Sequence, residues 1–213
     1  EATMRRLVTQ LLTEADRNAI RDAVRAAETK TSAEIVPMIV GASDSYPKAQ
    51  LACAVTVGLV CAVLACLAGG TRNMWVFLAF FGVFALLGFQ AAKRLPALLR
   101  LFVSPARAGH ETLQAAQAAF FGQSLTRTRE RNALLVYVSV FERLVFLLPD
   151  TGLAGRIDAR ELDAVAAALS TGIRGGRPAE AIVATVARLA QSLAAAFPPR
   201  EDDVNEIKDL ILF

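Results

Sequence analysis

The chain has 213 residues, of which 54% are hydrophobic and 20% are charged, and its formal net charge is +3 at pH 7. The hydrophobic fraction exceeds that of an average globular domain, and the excess lies between Leu51 and Ala92. The Lys and Arg residues are scattered along the chain rather than packed into a stripe, which argues against a nucleic-acid interface.

The first predicted elements are an amphipathic helix over residues 13–29 and a strand from Glu34 to Val40. Apolar residues recur in the helix at helical spacing, and Thr13 with Asp16 forms a capping-box pattern at its start. Pro37 lies within the strand and has no N–H to donate. We therefore expect this strand at a sheet edge, or with a bulge at the proline.

Two uncharged runs then indicate a membrane hairpin. They extend from Leu51 to Leu67 and from Met74 to Ala92, and each approaches the roughly 20 residues that a helix needs to cross the hydrocarbon core. Gly69 and Gly70 mark a turn between them. The alternative, a buried hairpin of a soluble core, is disfavoured because so small a protein leaves nothing to bury two such runs. All three cysteines fall in the first run, without metal-site spacing, and are expected to be apolar fillers.

Basic residues close to the spans predict their orientation. The turn between the spans carries only Arg72, whereas the outer ends carry five basic residues: Lys48, Lys93, Arg94, Arg100 and Arg107. Because basic loops favour the cytoplasmic side, both termini and the soluble domain are expected in the cytoplasm. Residues 94–103 are expected to lie along the membrane interface, and Trp75 is expected to anchor the opposite end of the hairpin.

After the spans, the pattern predicts a helix, two strands and two further helices. The helix covers residues 106–129 and buries Leu113, Ala116 and Phe120, with His110, the only histidine, near its solvated start. The strands run from Leu134 to Phe141 and from Leu144 to Leu148, as a hairpin with Glu142-Arg143 as an exposed turn pair. Asp158 with Glu161 caps the first of the last two helices, and Gly175-Gly176 ends it. Pro178 opens the second helix. The apolar face that this helix buries consists of Ile182, Val186, Leu189 and Leu193.

The helix and strand before the spans cannot bury their own apolar faces. A two-span hairpin returns the chain to the side it left, so these elements can pair with those after the spans. The predicted fold is an α/β domain with a small central sheet flanked by helices, split by the hairpin. Residues 1–48 and 96–199 form the domain, residues 49–95 form the hairpin, and residues 200–213 form a C-terminal extension.

The extension is predicted to be largely solvated. Asp202, Asp203 and Glu206 are suited to a flexible acidic tail or to docking on a basic partner surface. The apolar end from Leu210 to Phe213 is expected to occupy a groove on its own domain or on a neighbour.

Three stretches resemble the TPM-domain family, named for thylakoid lumen, photosystem II repair and related membrane-tethered proteins. They are LLTEADRNAIRDAVRAAETKTSAEIVPMIV, QSLTRTRERNALLVYVSVFERLVFLLPDTGLAGRID and IRGGRPAEAIVATVARLAQSLAAAFPPREDDVNEI. The chain resembles in particular the bacterial membrane-bound branch, in which two spans split the domain. The resemblance implies an α/β sandwich that is anchored to the bacterial inner (cytoplasmic) membrane.

The resemblance also implies two functions: a divalent-metal-assisted phosphatase, and assembly or stabilisation of larger membrane complexes. Phosphoryl chemistry needs Ca²⁺ or Mg²⁺ held by carboxylates. The candidates are Glu34, Asp44, Glu142, Asp150 and Asp158. Asp150 is the strongest, since an Asp before a Gly-containing loop can hold an ion, although a turn residue that satisfies its own backbone is the favoured interpretation. Glu34 is the weaker metal candidate, and no EF-hand loop, DxD cluster or P-loop is present.

The leading prediction is an accessory or scaffold subunit without a cofactor, which assembles with an integral membrane complex through the hairpin and the cytoplasmic domain. Besides the lipid bilayer, the expected partner is a photosynthetic or other bioenergetic complex. Small residues on the spans permit close helix contact: Gly58, Ala62, Gly82 and Gly88. Transport is disfavoured, because neither span carries an ionisable group other than the cysteines.

Overall fold

A computed structural model describes residues 2–199 and 210–212 of the chain. The chain divides into two compact units, one that combines Glu1–Ser43 with Gly109–Phe213 and one that comprises Asp44–Ala108. The first unit contains a sheet and its flanking helices, which confirms the predicted α/β class. The second unit is helical and interrupts the first in sequence.

The helices are, in chain order, α1 (Ala2–Leu11), α2 (Glu14–Glu28), α3 (Pro47–Ala68), α4 (Met74–Arg94), α5 (Pro96–Arg100), α6 (Pro105–Gly122), α7 (Ala159–Arg174) and α8 (Pro178–Ala194). The strands are β1 (Glu34–Val40), β2 (Ala133–Ser139), β3 (Leu144–Pro149) and β4 (Ile211–Leu212). Two 3₁₀ turns, Leu125–Arg127 and Thr151–Leu153, complete the described elements.

The sheet has the strand order β3-β2-β1-β4. Strands β1 and β2 are parallel and pair along their whole length, from Glu34 opposite Ala133 to Val40 opposite Ser139. Strand β3 returns antiparallel to β2 as the predicted hairpin. Because β1 precedes the helical unit in sequence and β2 follows it, this pairing confirms that the chain segments on either side of the hairpin share one sheet.

Side chains from alternate positions of the strands enter two separate cores. On one face, Ile35 and Ile39 of β1 pack with buried residues of α1, α2, α7 and α8. On the other face, Val36 and Met38 pack with Ala116 and Phe120 of α6. The sheet is therefore covered by helices on both faces, with the larger core on the four-helix side.

Local signals in the sequence fix several helix ends. Thr13 and Asp16 form the predicted capping box at the start of α2. Asp158 caps α7 by accepting a hydrogen bond from the Arg160 N–H at 2.9 Å, and Pro178 occupies the first turn of α8. The predicted apolar face of α8 is fully buried, at Ile182, Val186, Leu189 and Leu193.

The predicted helix over residues 106–129 was too long. Helix α6 ends at Gly122, and Ser124 then takes a left-handed conformation with φ of 58°. This bend places Leu125 in a 3₁₀ turn, where it is fully buried. Leu113 is only half-buried, and Thr112 takes the buried position in its place.

Both alternatives predicted for β1 were wrong: β4 pairs with Met38 and Ile39 on the side opposite β2, and the register with β2 runs through Pro37 without a bulge. This second ladder begins immediately after Pro37, so the missing N–H of the proline does not interrupt it. Ile211 is buried, and Leu210 is half-buried. The end of the extension thus lies on its own domain, while Asp202, Asp203, Glu206 and Phe213 lie outside the described residues.

Helices α3 and α4, of 22 and 21 residues, are long and apolar enough to cross a membrane. A Schellman motif ends α3: the Thr71 N–H donates to the Cys66 carbonyl at 3.1 Å, and Gly70 has φ of 62°. Asn73 then caps α4 through the Trp75 N–H at 2.9 Å. These two caps produce the short turn that the sequence predicted.

Candidate functional site

The helical unit presents an extensive apolar surface. Buried positions are few in α3 and fewer in α4, where only Gly88 and Ala92 are buried. Large exposed side chains on the two helices include Leu51, Leu59, Leu64, Leu67, Trp75, Val83, Leu86 and Leu87. Soluble monomers rarely expose contiguous apolar patches larger than a few hundred Å², so this surface is suited to lipid or to apolar helices of a partner.

The small residues predicted to permit helix contact have two different roles. A Cβ on Gly58 would lie 2.8 Å from the Ala85 Cβ, and one on Gly88 would lie 2.9 Å from the Val57 Cβ. Together with buried Ala62, these residues bring α3 and α4 into close contact. Gly82 is exposed, and apart from its own helix backbone no heavy atom of the described structure lies within 4 Å of an added Cβ. Of the four small residues, only Gly82 faces outward.

A polar cluster lies at the carboxyl ends of the parallel strands, consisting of Ser43, Tyr137, Ser139 and Glu142. The Glu142 Oε1 atom accepts a hydrogen bond from the Ser43 N–H at 2.9 Å, and its other carboxylate oxygen accepts one from the Ser139 hydroxyl. The Ser43 hydroxyl donates to the Ser139 Oγ at 3.0 Å and lies 3.4 Å from the Tyr137 hydroxyl. The cluster fixes the loop after β1.

Glu142 was predicted to form an exposed turn pair with Arg143, and this was wrong for the glutamate. Glu142 is half-buried in the polar cluster, whereas Arg143 is exposed and left-handed, with φ of 58°. The physical reason is that Ser139, which is fully buried at the end of β2, needs a hydrogen-bond partner. The sequence signal was present, because a serine interrupts an otherwise apolar strand three residues before an acid.

The polar cluster predicts an alkaline pH dependence. Burial raises the pKa of Tyr137; the Ser43 hydrogen bond lowers it, and the charge of Glu142 raises it further. The folded state therefore favours the protonated tyrosine. The stability that the protonated Tyr137 contributes is complete below the unfolded pKa of about 10, and it is lost as pH rises through the higher folded-state pKa. In a pH titration, the tyrosinate absorbance of the wild type minus that of Tyr137→Phe reports Tyr137 alone. We expect this difference to rise with a midpoint above pH 10. A midpoint at or below that of free tyrosine would contradict the cluster.

Asp150 lies near the opposite end of the sheet and is almost fully buried. Its Oδ1 atom accepts a hydrogen bond from the Thr151 N–H at 2.7 Å, and its own N–H donates to the Ala133 carbonyl at 2.8 Å. The Oδ2 atom forms an ion pair with the Arg131 Nε atom at 3.0 Å. Asp150 therefore caps a turn, as its favoured interpretation predicted, and it also pairs with Arg131, which was not predicted.

The other candidate carboxylates lie in separate environments. Glu34 is half-buried at the start of β1, Asp44 begins the helical unit and Asp158 caps α7. Within residues 2–199 and 210–212, no group of three His, Cys, Asp or Glu side chains is placed to hold a metal ion. The metal-assisted phosphatase with Asp150 or Glu34 as ligand stays a prediction.

Comparison with known proteins gives one informative likeness. No protein-family model matches the chain, and no curated protein matches it. Among solved structures, the chain is similar to the NMR structure of the BA42 protein from the psychrophilic bacterium Bizionia argentinensis, with a TM-score of 0.57 and 18% sequence identity over 95% of each chain. At this identity the likeness concerns the fold, and the resemblance to the TPM-domain family stays a sequence-based prediction.

Proposed function

We propose that the protein is a membrane-anchored accessory or scaffold subunit that assembles with a larger membrane complex. The observation that carries the proposal is the apolar surface of α3 and α4, which are joined by a short capped turn and inserted between two paired strands. A hairpin that needed only to hold a domain at the bilayer would not require an outward-facing glycine such as Gly82. Such a residue lets a partner helix approach the backbone closely.

The basic residues near the helix ends support an orientation for this subunit. Arg72 is the one basic residue in the turn between α3 and α4, whereas Lys93 and Arg94 end α4 and Lys48 lies in the first turn of α3. The positive-inside tendency supports a cytoplasmic α/β domain, and the family resemblance suggests that the membrane is a bacterial inner membrane. Photosynthetic or other bioenergetic complexes, which the family resemblance suggests, are the proposed hosts.

Gly82 provides a specific test of the partner-binding surface. We expect Gly82→Leu to reduce co-purification of the partner complex severalfold from mildly solubilised native membranes, because the added side chain prevents close helix approach. The fold should be unchanged, since a Cβ at this position meets no described heavy atom within 4 Å apart from its own helix backbone. The measurement is native electrophoresis of the tagged protein followed by mass spectrometry of the shifted band.

Two comparisons make this test decisive. Leu86→Ile alters another exposed position of α4 without adding bulk, and should leave co-purification unchanged. Gly58→Leu should instead disrupt the hairpin itself, because its Cβ would collide with Ala85. Wild-type protein that always migrates alone at monomer size would contradict the proposed function, and equal recovery of the complex by wild type and Gly82→Leu would remove Gly82 from the interface.

A further inference from the structure

A cleft of about 340 Å³ lies between α7 and α8, within the α/β unit. Its walls are mostly apolar, with Val165 and Leu169 of α7 buried beneath it. This volume is near the lower end of the range for small-molecule sites, which are typically apolar with a few placed polar groups. None of the residues that line the cleft belongs to the polar cluster.

Thr185 is the first of two polar residues that could orient a ligand in the cleft. Its side chain lines the cleft and is buried, with a relative exposure of 5%. No hydrogen bond to its hydroxyl is found among the described residues. By contrast, Thr171 on α7 satisfies its hydroxyl by donating to the Ala167 carbonyl at 2.9 Å. The Thr185 Oγ1 atom is not among the buried, partnerless polar atoms of the described residues, so it is open to the cleft and can hydrogen-bond a molecule there.

The charges along the cleft are asymmetric. At the start of α8, Arg177 lies 3.8 Å from Glu180, so the two charges largely offset each other. Arg188 lines the other end, and no ion pair or hydrogen bond involves it within residues 2–199 and 210–212. Since Arg188 follows Thr185 by three positions, both side chains lie on one face of α8. Together they can approach one anionic head group.

We propose that the cleft binds a small amphiphile with an apolar chain and an anionic head. The chain lies along Ala168, Ala181 and Ala184, and the head accepts hydrogen bonds from Thr185 and Arg188. At the start of α8 the Arg177–Glu180 pair offers no net charge to the head, so the head lies at the Arg188 end. A free carboxylic acid and an anionic lipid share this chemistry, and the experiment distinguishes them. The proposal does not depend on the accessory-subunit function.

The test uses the full chain in phosphatidylcholine nanodiscs with ¹³C-labelled alanine methyl groups. Sodium octanoate is titrated while the methyl signals of the cleft alanines, such as Ala184, are followed. We expect saturable shifts, and an about tenfold higher Kd in Arg188→Gln because a charge-assisted hydrogen bond is lost. Octanol, which carries no charge, should bind at least severalfold more weakly than octanoate, with equal affinity for wild type and Arg188→Gln.

Thr185→Val and Arg160→Gln are the control variants. Thr185→Val removes a hydroxyl with no hydrogen bond to lose, so it should weaken octanoate binding severalfold without lowering the unfolding midpoint. Arg160→Gln removes an exposed arginine of α7 outside the cleft and should bind octanoate as wild type does. Shifts that never saturate, an equal loss in Arg160→Gln, or equal binding of octanol and octanoate would overturn the proposal.

A second arm identifies the source of the anionic head. Part of the phosphatidylcholine is replaced by phosphatidylglycerol, without octanoate. Movement of the same methyl signals would assign the head to an anionic lipid, whereas a response to octanoate alone would assign it to a free acid. A lack of response to both probes would overturn the proposal.

Discussion

Replacing Ile39 with Asp is expected to unfold the α/β unit, including the part that follows the membrane hairpin. Ile39 is fully buried in the core shared by β1, β2 and four helices. Forcing a carboxylate into this core costs at least about 3 kcal/mol, a large fraction of the about 5–15 kcal/mol that holds a typical domain together. The measurement is urea unfolding followed by circular dichroism, together with limited proteolysis of residues 109–199.

Phe121→Asp is the matched control for this substitution, because Phe121 is 69% exposed and its replacement introduces the same charge without burying it. We expect its unfolding midpoint to stay close to that of the wild type. If residues 109–199 of Ile39→Asp stay as protease-resistant as in the wild type, the segments before and after the hairpin do not share a core.

Gly152→Ala is expected to destabilise the turn around Asp150 by about 2 kcal/mol or more. A Cβ at this position would lie 2.2 Å from the Glu130 carbonyl oxygen and 2.5 Å from that of Arg131. Both obstacles are backbone atoms, which cannot move aside as a flexible side chain would. The Gly152 N–H also donates to the Arg131 carbonyl at 2.8 Å, so relaxation of the clash would cost this hydrogen bond as well.

Thermal unfolding of Gly152→Ala should be compared with that of Gly109→Ala. Gly109 lies inside α6, and apart from its own helix backbone no heavy atom of the described structure lies within 4 Å of a Cβ added there. That change should be neutral or stabilising by up to about 1 kcal/mol, since alanine favours helix. Equal midpoints for the two variants would show that the chain does not pass as closely over Gly152 as the structure indicates.

Elements defined by local signals were predictable from the sequence. The capping box at Thr13, the proline at the start of α8 and the glycine turn between α3 and α4 each fix a boundary through contacts a few residues apart. The split domain was also predictable, because the burial needs of β1 exceed what its neighbours in sequence supply. In these cases the residues that determine the structure lie within one element, or the unburied apolar face of that element requires a partner.

Elements defined by distant contacts were not predictable. Strand β4 has two residues, too few for any periodicity, and forms because β1 offers backbone groups at Met38 and Ile39. The early end of α6 similarly reflects the burial of Leu125 in a core that the sheet supplies. A longer helix would have carried this leucine away from the sheet.

In the candidate site, too, local features were predictable and features that depend on distant contacts were not. Gly58 and Gly82 are equivalent as small residues in apolar runs, and only the packing of α3 against α4 shows which one is covered. The polar cluster required two distant chain segments to meet, because Ser43 follows β1 whereas Ser139 and Glu142 lie at the end of β2 and in the turn after it. The capping role of Asp150 was predictable, because its partner is the next residue in the chain.

The most direct test of the split domain is to replace residues 44–104 by a flexible Gly/Ser linker, which removes α3, α4 and α5 and keeps α6. Because β1 and β2 pair along their whole length and both cores lie outside the deleted segment, the account predicts a folded protein. It should stay soluble without detergent, unfold cooperatively and show nuclear Overhauser contacts between β1 and β2. A protein that is insoluble or unfolded without residues 44–104 would contradict the account.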